Sequence, residues 1–500
     1  MNQRRQIGMK IVFAALLLGA LGDALLRATP WGVNVLLWML AALLIVAALA
    51  PARPGALGSG AWLFVPAVLF AAGFLWRASP VLAMLNLLGL AVTASLALLR
   101  AQGGRLLNSS LTEYALGAIL AGVNTAFGAL PLAITDVPWK ELFARRGAGR
   151  ALAVGRGVLL AVPPLVVFGA LFASADAVFQ SLLDRLFHIN FSTLVSHLFL
   201  ISFLAWTSAG WLRGAALGEE RKFVFERAAS KQSVSVGIIE IGTVLGLVDL
   251  LFLAFVIVQI KYLFGGAARL QATAGLTYAE YARSGFFQLV TVAALALPLL
   301  LAAHWLLRKE NPTHEQVFRT LAGLFVLLLF VILASAVKRM MLYQSEYGLT
   351  ELRVYTTAFM AWLAVVLVWF VATVLRGHRK RFAVGALMAG YALIVALEIL
   401  NPDALIARTN LARAREGRRL DARYVASLSA DAVPQLVAAL PALAPQDRCV
   451  VAERLLKRRL RSGVSDWRTW NYSRVEADRM MNSESPALQN TACSATAGGN

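Results

Sequence analysis

Residues 324–337 read LFVLLLFVILASAV, and residues 338–362 continue as KRMMLYQSEYGLTELRVYTTAFMAW. The first stretch carries no charge and offers water nothing but backbone. The second is polar for some twenty residues before another apolar run begins. Blocks like the first recur: IVFAALLLGALGDALL (11–26), WGVNVLLWMLAALLIVAALA (31–50) and VLAMLNLLGLAVTASLALL (81–99). At 1.5 Å per helical residue, about 20 residues match roughly 30 Å of hydrocarbon. Backbone groups inside lipid must pair within their own segment, so such blocks are helices. Composition agrees. Hydrophobic residues make up 59% of the 500, and charged residues only 15%, against a usual apolar share of about 45–50%. The expected fold is all-α: a polytopic transmembrane helix bundle of about 11–12 spans with a small C-terminal helical domain.

Twelve candidate spans lie near 10–27, 32–50, 60–76, 80–99, 112–135, 153–175, 192–212, 236–262, 284–307, 317–337, 352–375 and 381–400. The third is short and reaches the fourth through RASP alone. Residues 1–400 are thus read as the bundle. From 401 the chemistry changes. Asn401 suits an N-cap, Pro402 a first helical position and Asp403 the positive helix end. Gly417 ends that helix, and Asp421 and Asp431 cap two more. QDRCVVAERLLKRRLRSG (446–463) is a basic amphipathic helix, and Trp467 and Trp470 follow one turn apart. Residues 401–481 are read as a helical domain outside the membrane, and 482–500 as a disordered polar tail. Residues 174–191, 262–287 and 338–362 read as interfacial pieces, and 217–232 as a charged connector.

The net charge of +20 falls mostly between apolar blocks. It is read as topology plus attraction to membrane lipids, anionic ones above all. No nucleic acid is expected, for want of a basic–aromatic module. Basic clusters at 140–156, 221–231, 308–319 and 376–381 are two spans apart, so all share one face. Arg4, Arg5 and Lys10 ask for the same face, yet five candidate spans separate them from the first cluster. Either one of those five does not cross, or the N-terminal charge is overruled. Following the clusters, many and close to span ends, places them inside and the C-terminal tail outside; following the N-terminus instead puts both ends inside and the four clusters outside. The N-terminus reads as an uncleaved first helix, since no small-x-small site follows its apolar core. Cys449 and Cys493 are too few for a disulfide framework or a zinc site. With Cys493 in TACSATAGGN, no bridge is expected.

No catalytic, cofactor or metal site is read from the sequence. GxxxxGK[ST], HExxH, GxSxG and a strand-borne GxGxxG are all missing. What remains is polar chemistry inside spans, which costs about 2.5–3.5 kcal/mol per charge unless it faces protein or water. Asp249 lies mid-span and could carry a proton or a cation, or be a carboxylate bonded to a neighbouring helix. Glu240 lies nine residues earlier, on another face. Asn124 is read as an interhelical hydrogen bond. Asp23, Glu113 and Glu398 sit nearer span ends, where snorkelling or capping accounts for them. In the second quoted stretch, Gly348 suits a left-handed turn and Thr350 a helix cap. Tyr347 suits the headgroup layer. Arg353 could pair with Glu346 or Glu351, or hold a lipid phosphate.

The same residues carry a resemblance. YGLTELRVYTTAFMAWLAVVLVWF (347–370), YLFGG (262–266), TYAEYARSGFFQL (277–289), NPDALIARTNLAR (401–413) and LDARYVASLSADAVPQL (420–436) resemble a family of bacterial polytopic membrane proteins. It is catalogued as a domain of unknown function, numbers 4153 and 4173. The resemblance covers roughly 230–440 and implies a multi-pass protein of the bacterial cytoplasmic membrane. It brings no substrate, reaction or site.

Three functions are compatible with these readings. The first is a carrier of a small or lipidic solute, which requires a cavity near Asp249. The second is a sensory, regulatory or assembly protein that binds a partner through 401–481. The third is an enzyme on a lipid-linked substrate, which would gather Arg353, Tyr347 and a carboxylate in one pocket.

Overall fold

The computed structural model describes residues 3–49, 60–104, 106, 111–138, parts of 161–181, 191–218, 236–264, 286–307, 312–461 and 466–491. Among them there are helices and a single isolated β-bridge, Val236 to Leu307, and no sheet. The membrane helices are α1 (Gln3–Leu26), α2 (Val33–Leu49), α3 (Phe64–Trp76), α4 (Pro80–Ala101), α5 (Leu111–Phe127), α6 (Phe191–Ala216), α7 (Ile238–Phe264), α8 (Phe286–Leu306), α9 (Pro312–Tyr347), α10 (Glu351–Thr373) and α11 (Phe382–Leu400). Eight of these are long and apolar enough to cross a membrane, and α5 with the bent piece that follows would make a ninth. Two shorter apolar helices, Val33–Leu49 and Ala61–Trp76, occupy the second and third candidate spans. The candidate at 153–175 falls largely outside the described residues.

Helices α1 and α6 run antiparallel, pinned by charge at both ends. At one end the buried Asp136 accepts from Arg4 at 2.8 Å and from Arg213 at 2.7 Å. At the other, Asp23 holds Arg27 at 2.8 Å and the His197 ring at 2.5 Å. Arg4 and Asp23 are about 28 Å apart along a helix rising 1.5 Å per residue. That is close to the hydrocarbon thickness of a bilayer. The two clusters therefore mark two faces, named here the Asp136 face and the Asp23 face.

Other helix ends sort onto these faces by contact. On the Asp136 face, Gln102 at the end of α4 reaches the Gly214 carbonyl at the end of α6. Helix α11 runs antiparallel to α4. Glu398 near its end meets Asn86 in the second turn of α4, and Tyr391 meets Thr93. The start of α11 therefore lies on the Asp136 face, with Gly377 beside Arg319 of α9. Val236 before α7 donates to the Leu306 carbonyl ending α8 at 2.9 Å, and His304 rests on Phe318.

One candidate span does not cross. Tyr114 near the start of α5 donates to the Leu106 carbonyl just past α4, on the Asp136 face. The chain then bends by 47° at Gly128 and finishes in a π-helical turn at Asp136, on that same face. The expectation of a span at 112–135 is corrected: both ends of this bent pair contact the Asp136 face, which makes it a re-entrant segment. With that crossing gone, Arg4 and the described basic residues at 312–319 and 376–381 share the Asp136 face; the clusters at 140–156 and 221–231 lie outside the described residues.

The second half packs α7 to α10 around Phe318, Phe325, Leu329, Leu367 and Phe370, all buried. The C-terminal part is helical as read: α12 (Pro402–Arg415), α13 (Ala422–Val425), α14 (Val433–Ala439), α15 (Pro445–Arg461), α16 (Tyr472–Ser483) and α17 (Ser485–Thr491). Two of the three expected caps are in place, while Asp431 caps no helix: Ser429 holds that position and accepts from the Asp431 N–H. Asn401 accepts from Ala404 and Asp421 from Tyr424. The apolar core of this part also takes in Val354 of α10, so it is seated on the bundle. Two further expectations are corrected. The tail is not disordered from 482, because Leu488 of α17 is fully buried against α15 and α16. Cys449 is disulfide-bonded; Cys493 lies outside the described residues.

Candidate functional site

The intramembrane residues do not converge. Asp249 is buried, on the face of α7 that carries Leu245 and Phe252 against α9. Neither of its carboxylate oxygens has a hydrogen-bond partner among the described residues, so the reading as a carboxylate bonded to a neighbouring helix is not met there. Glu240 is exposed, one turn from the start of α7. The polar group inside this half is Gln259, whose side-chain oxygen accepts from Ser335 at 3.2 Å and Arg339 at 3.0 Å. Asn124 does not bond across helices. Its amide donates to the Leu120 carbonyl of its own helix at 2.8 Å. Gly210 and Gly214 of α6 bring the two helices so close that a Cβ on Gly210 would lie 2.3 Å from the Asn124 carbonyl.

The interfacial motif is a docking turn. Gly348 takes φ +75°, the left-handed conformation that favours glycine. Thr350 occupies the N-cap position, yet its side chain caps nothing. The Tyr424 hydroxyl instead accepts from the Glu351 N–H at 2.8 Å. Arg353 pairs with neither glutamate. It donates to the Gly348 carbonyl and lies 3.9 Å over the Tyr343 ring. Tyr347 is exposed. Arg413 of α12 donates to the carbonyls of Gln344, Ser345 and Glu346, closing the orphan C-terminal end of α9. Arg353 also lies 5.9 Å from the Tyr347 ring, so the two stand together, with no glutamate paired to the guanidinium among the described residues. The two sequence motifs at 347–353 and 401–413 are the two halves of one joint.

A second joint was not legible in the sequence. RASP, noted only as a short link, places Arg77 and Ala78 against Asp431. That carboxylate accepts from the Ala78 N–H at 2.8 Å, Ser429 at 2.9 Å and Ser473 at 2.5 Å, with Arg77 at 4.0 Å. Arg77 also donates to the Glu398 carbonyl at 2.7 Å. Asn471 holds the carbonyls of Phe74 and Arg77, each at 2.8 Å. Four elements distant in sequence meet here, and none carries a spacing signal.

The feature that can hold a ligand is elsewhere. A cavity of about 840 Å³ opens between α2, α3, α4, α5 and α6, within the range usual for ligand sites. Its wall includes Trp38, Leu43, Phe64, Leu90, Trp206 and Trp211. Apart from Ser208, the tryptophans and hydroxyls of that wall donate to backbone. Trp38, Trp206 and Trp211 donate their indole N–H groups to the carbonyls of Leu18, Ala126 and Ala94. Thr93, Ser95, Thr125 and Thr207 donate back to their own helices. The exposed inner surface is therefore hydrocarbon in character. Arg100 is the one charged residue in the described wall, and it donates to the Gly104 carbonyl at 3.2 Å. The cavity runs from Leu18 and Leu90 to Leu49 and Ala216 at the Asp136 face. It reaches from the Asp136 face past the middle of the membrane to Leu18 and Trp38, with α5 as a wall.

Residues 64–439 match the family described as Domain of unknown function (DUF4153). The chain belongs to that family. The match takes in both joints' membrane turns, α12 and most of the cavity, while α1, α2 and residues 440–500 lie outside it. No curated protein and no solved structure matches the chain.

Proposed function

We propose that this multi-pass membrane protein holds, and carries between membrane environments, a lipidic molecule whose hydrocarbon chain occupies the cavity between α2 and α6. One observation carries the reading: a ligand-sized cavity whose tryptophans and threonines are turned to backbone. Such a wall rewards removal of apolar surface from competing environments and gives a polar solute nothing to bond. Asp249 lies outside the cavity wall, so the reading does not use it as a coupling site. The Asp136 face carries Arg4, Arg319 and the basic cluster at 376–381. By the positive-inside rule it is cytoplasmic, in a bacterial cytoplasmic membrane, and the C-terminal helices lie outside. The Cys449 disulfide suits that side. The ligand then comes from the cytoplasmic leaflet.

Gly122 supplies the test. It lines the cavity, and a Cβ there would meet nothing within 4 Å. Gly122→Leu should fill the space without a clash. Detergent-purified wild-type chain should retain a stoichiometric lipid by native mass spectrometry, and Gly122→Leu should lose it with its melting temperature kept. Equal lipid retention by both would overturn the reading.

A further inference from the structure

Residues 466–475 cross the ends of three membrane helices. Arg468 donates to the Ala24 carbonyl. The Trp470 carbonyl accepts from the Val33 N–H at 2.9 Å, and a Cβ on Gly32 would lie 2.2 Å from that same oxygen. Asn471 and Ser473 hold the carbonyls of Phe74, Arg77 and Trp76. The polar atoms of the segment are thus spent on closing helix ends, which fixes it at the level where the spans leave the hydrocarbon.

Its large side chains point elsewhere. Trp467 is 64% exposed, Trp470 43% and Tyr472 52%. Two aromatic residues of the bundle stand at the same level: Trp31, 39% exposed, and Trp76, 40% exposed. Trp31 packs edge-on against Phe74 and donates to the Leu26 carbonyl. Arg77 lies 4.1 Å over the Trp76 ring. Rings with an apolar body and one polar edge collect at the headgroup layer. In water this apolar area stays unfavourably hydrated; at the headgroup layer it leaves water while the polar edges keep theirs.

We infer that Trp467, Trp470 and Tyr472 seat the C-terminal helices on the lipid surface of the Asp23 face, extending the aromatic belt begun by Trp31 and Trp76. The occupant of this patch is the bilayer interface, not a protein. The inference is independent of the cavity.

The test uses the full-length chain in nanodiscs of phosphatidylethanolamine and phosphatidylglycerol. Trp467→Cys and, separately, Trp470→Cys are labelled with an environment-sensitive fluorophore under non-reducing conditions. Glu453→Cys on the exposed side of α15 is the aqueous reference. Headgroup-spin-labelled lipid should quench the probe at 467 or 470 at least threefold more than at 453. Quenching equal to that at 453 would overturn the inference. So would protection from lipid quencher that appears only when membrane extract is added, since a protein would then be the occupant. Either labelled variant suffices if the other fails to fold.

Discussion

Asn410 clamps the backbone of Leu349 from both sides. Its side-chain oxygen accepts from the Leu349 N–H at 2.8 Å, and its amide donates to the Leu349 carbonyl at 2.8 Å. A helix outside the membrane thereby fixes the turn between two helices inside it. Asn410→Ala leaves a partly buried donor and acceptor unmade, at about 1–3 kcal/mol. A lower melting temperature is expected, together with faster proteolysis after Arg415–Arg419. Unchanged cleavage would show that the clamp does not hold the C-terminal helices down.

Gly348→Ala should damage the same joint from the opposite side. The backbone is left-handed there, and a Cβ would lie 2.3 Å from the Asn410 oxygen. The conformational term alone is about 1–2 kcal/mol. The combined loss should exceed that of Asn410→Ala. In the double variant the two should not add, because both remove one contact. Thermal melts of the three variants check this.

Asp136→Asn should loosen the α1–α6 pair. The buried carboxylate is held between two guanidinium groups, of which Arg213 is mostly buried and Arg4 half exposed. Removing its charge strands Arg213, at about 2–3 kcal/mol given the exposure of Arg4. Exchange of α1 amides in nanodiscs should rise. An unchanged pattern would show that packing alone holds the pair.

Asp403 gives a pH signature. It is fully buried, accepts from the Ser429 N–H at 3.1 Å, and its other oxygen has no partner among the described residues. Burial raises its pKa above the ordinary 3.8; the Ser429 hydrogen bonds oppose this, and the Asp431 charge adds to it. Between the unfolded and folded values the folded state holds more protons. Its contribution is therefore greatest below about 4 and is lost as pH rises through the folded value. Asp403→Asn keeps an acceptor for Ser429 and removes the titration. The variant should match wild type at acidic pH and melt higher near neutrality. Parallel melting curves from pH 4 to 8 would contradict this.

Much of the fold was legible. The long uncharged blocks located the membrane helices, because lipid solvation is a matter of composition over a window. Asn401, Pro402 and Asp421 located helix starts, because caps are local. Span 112–135 failed because apolar length does not tell a crossing from a return, which only the contacts of its two ends decide. The site was less legible. Asp249 stood out by cost, yet the cavity is walled by ordinary Leu, Trp and Ala from five helices. Thr350 and Arg353 had plausible local partners, and distant ones displaced them: Tyr424 for the cap, and the Tyr343 ring with the Gly348 carbonyl for the guanidinium.

The amino-acid order by itself settled that this chain lives in lipid as helices, because hydrocarbon imposes its condition on each segment separately. Only the folded arrangement decided which segments cross, that RASP and Asp431 meet, and that a hydrocarbon-walled space remains between α2 and α6. Those are relations between residues tens to hundreds of positions apart. No window of sequence contains both partners of the contact that fixes them.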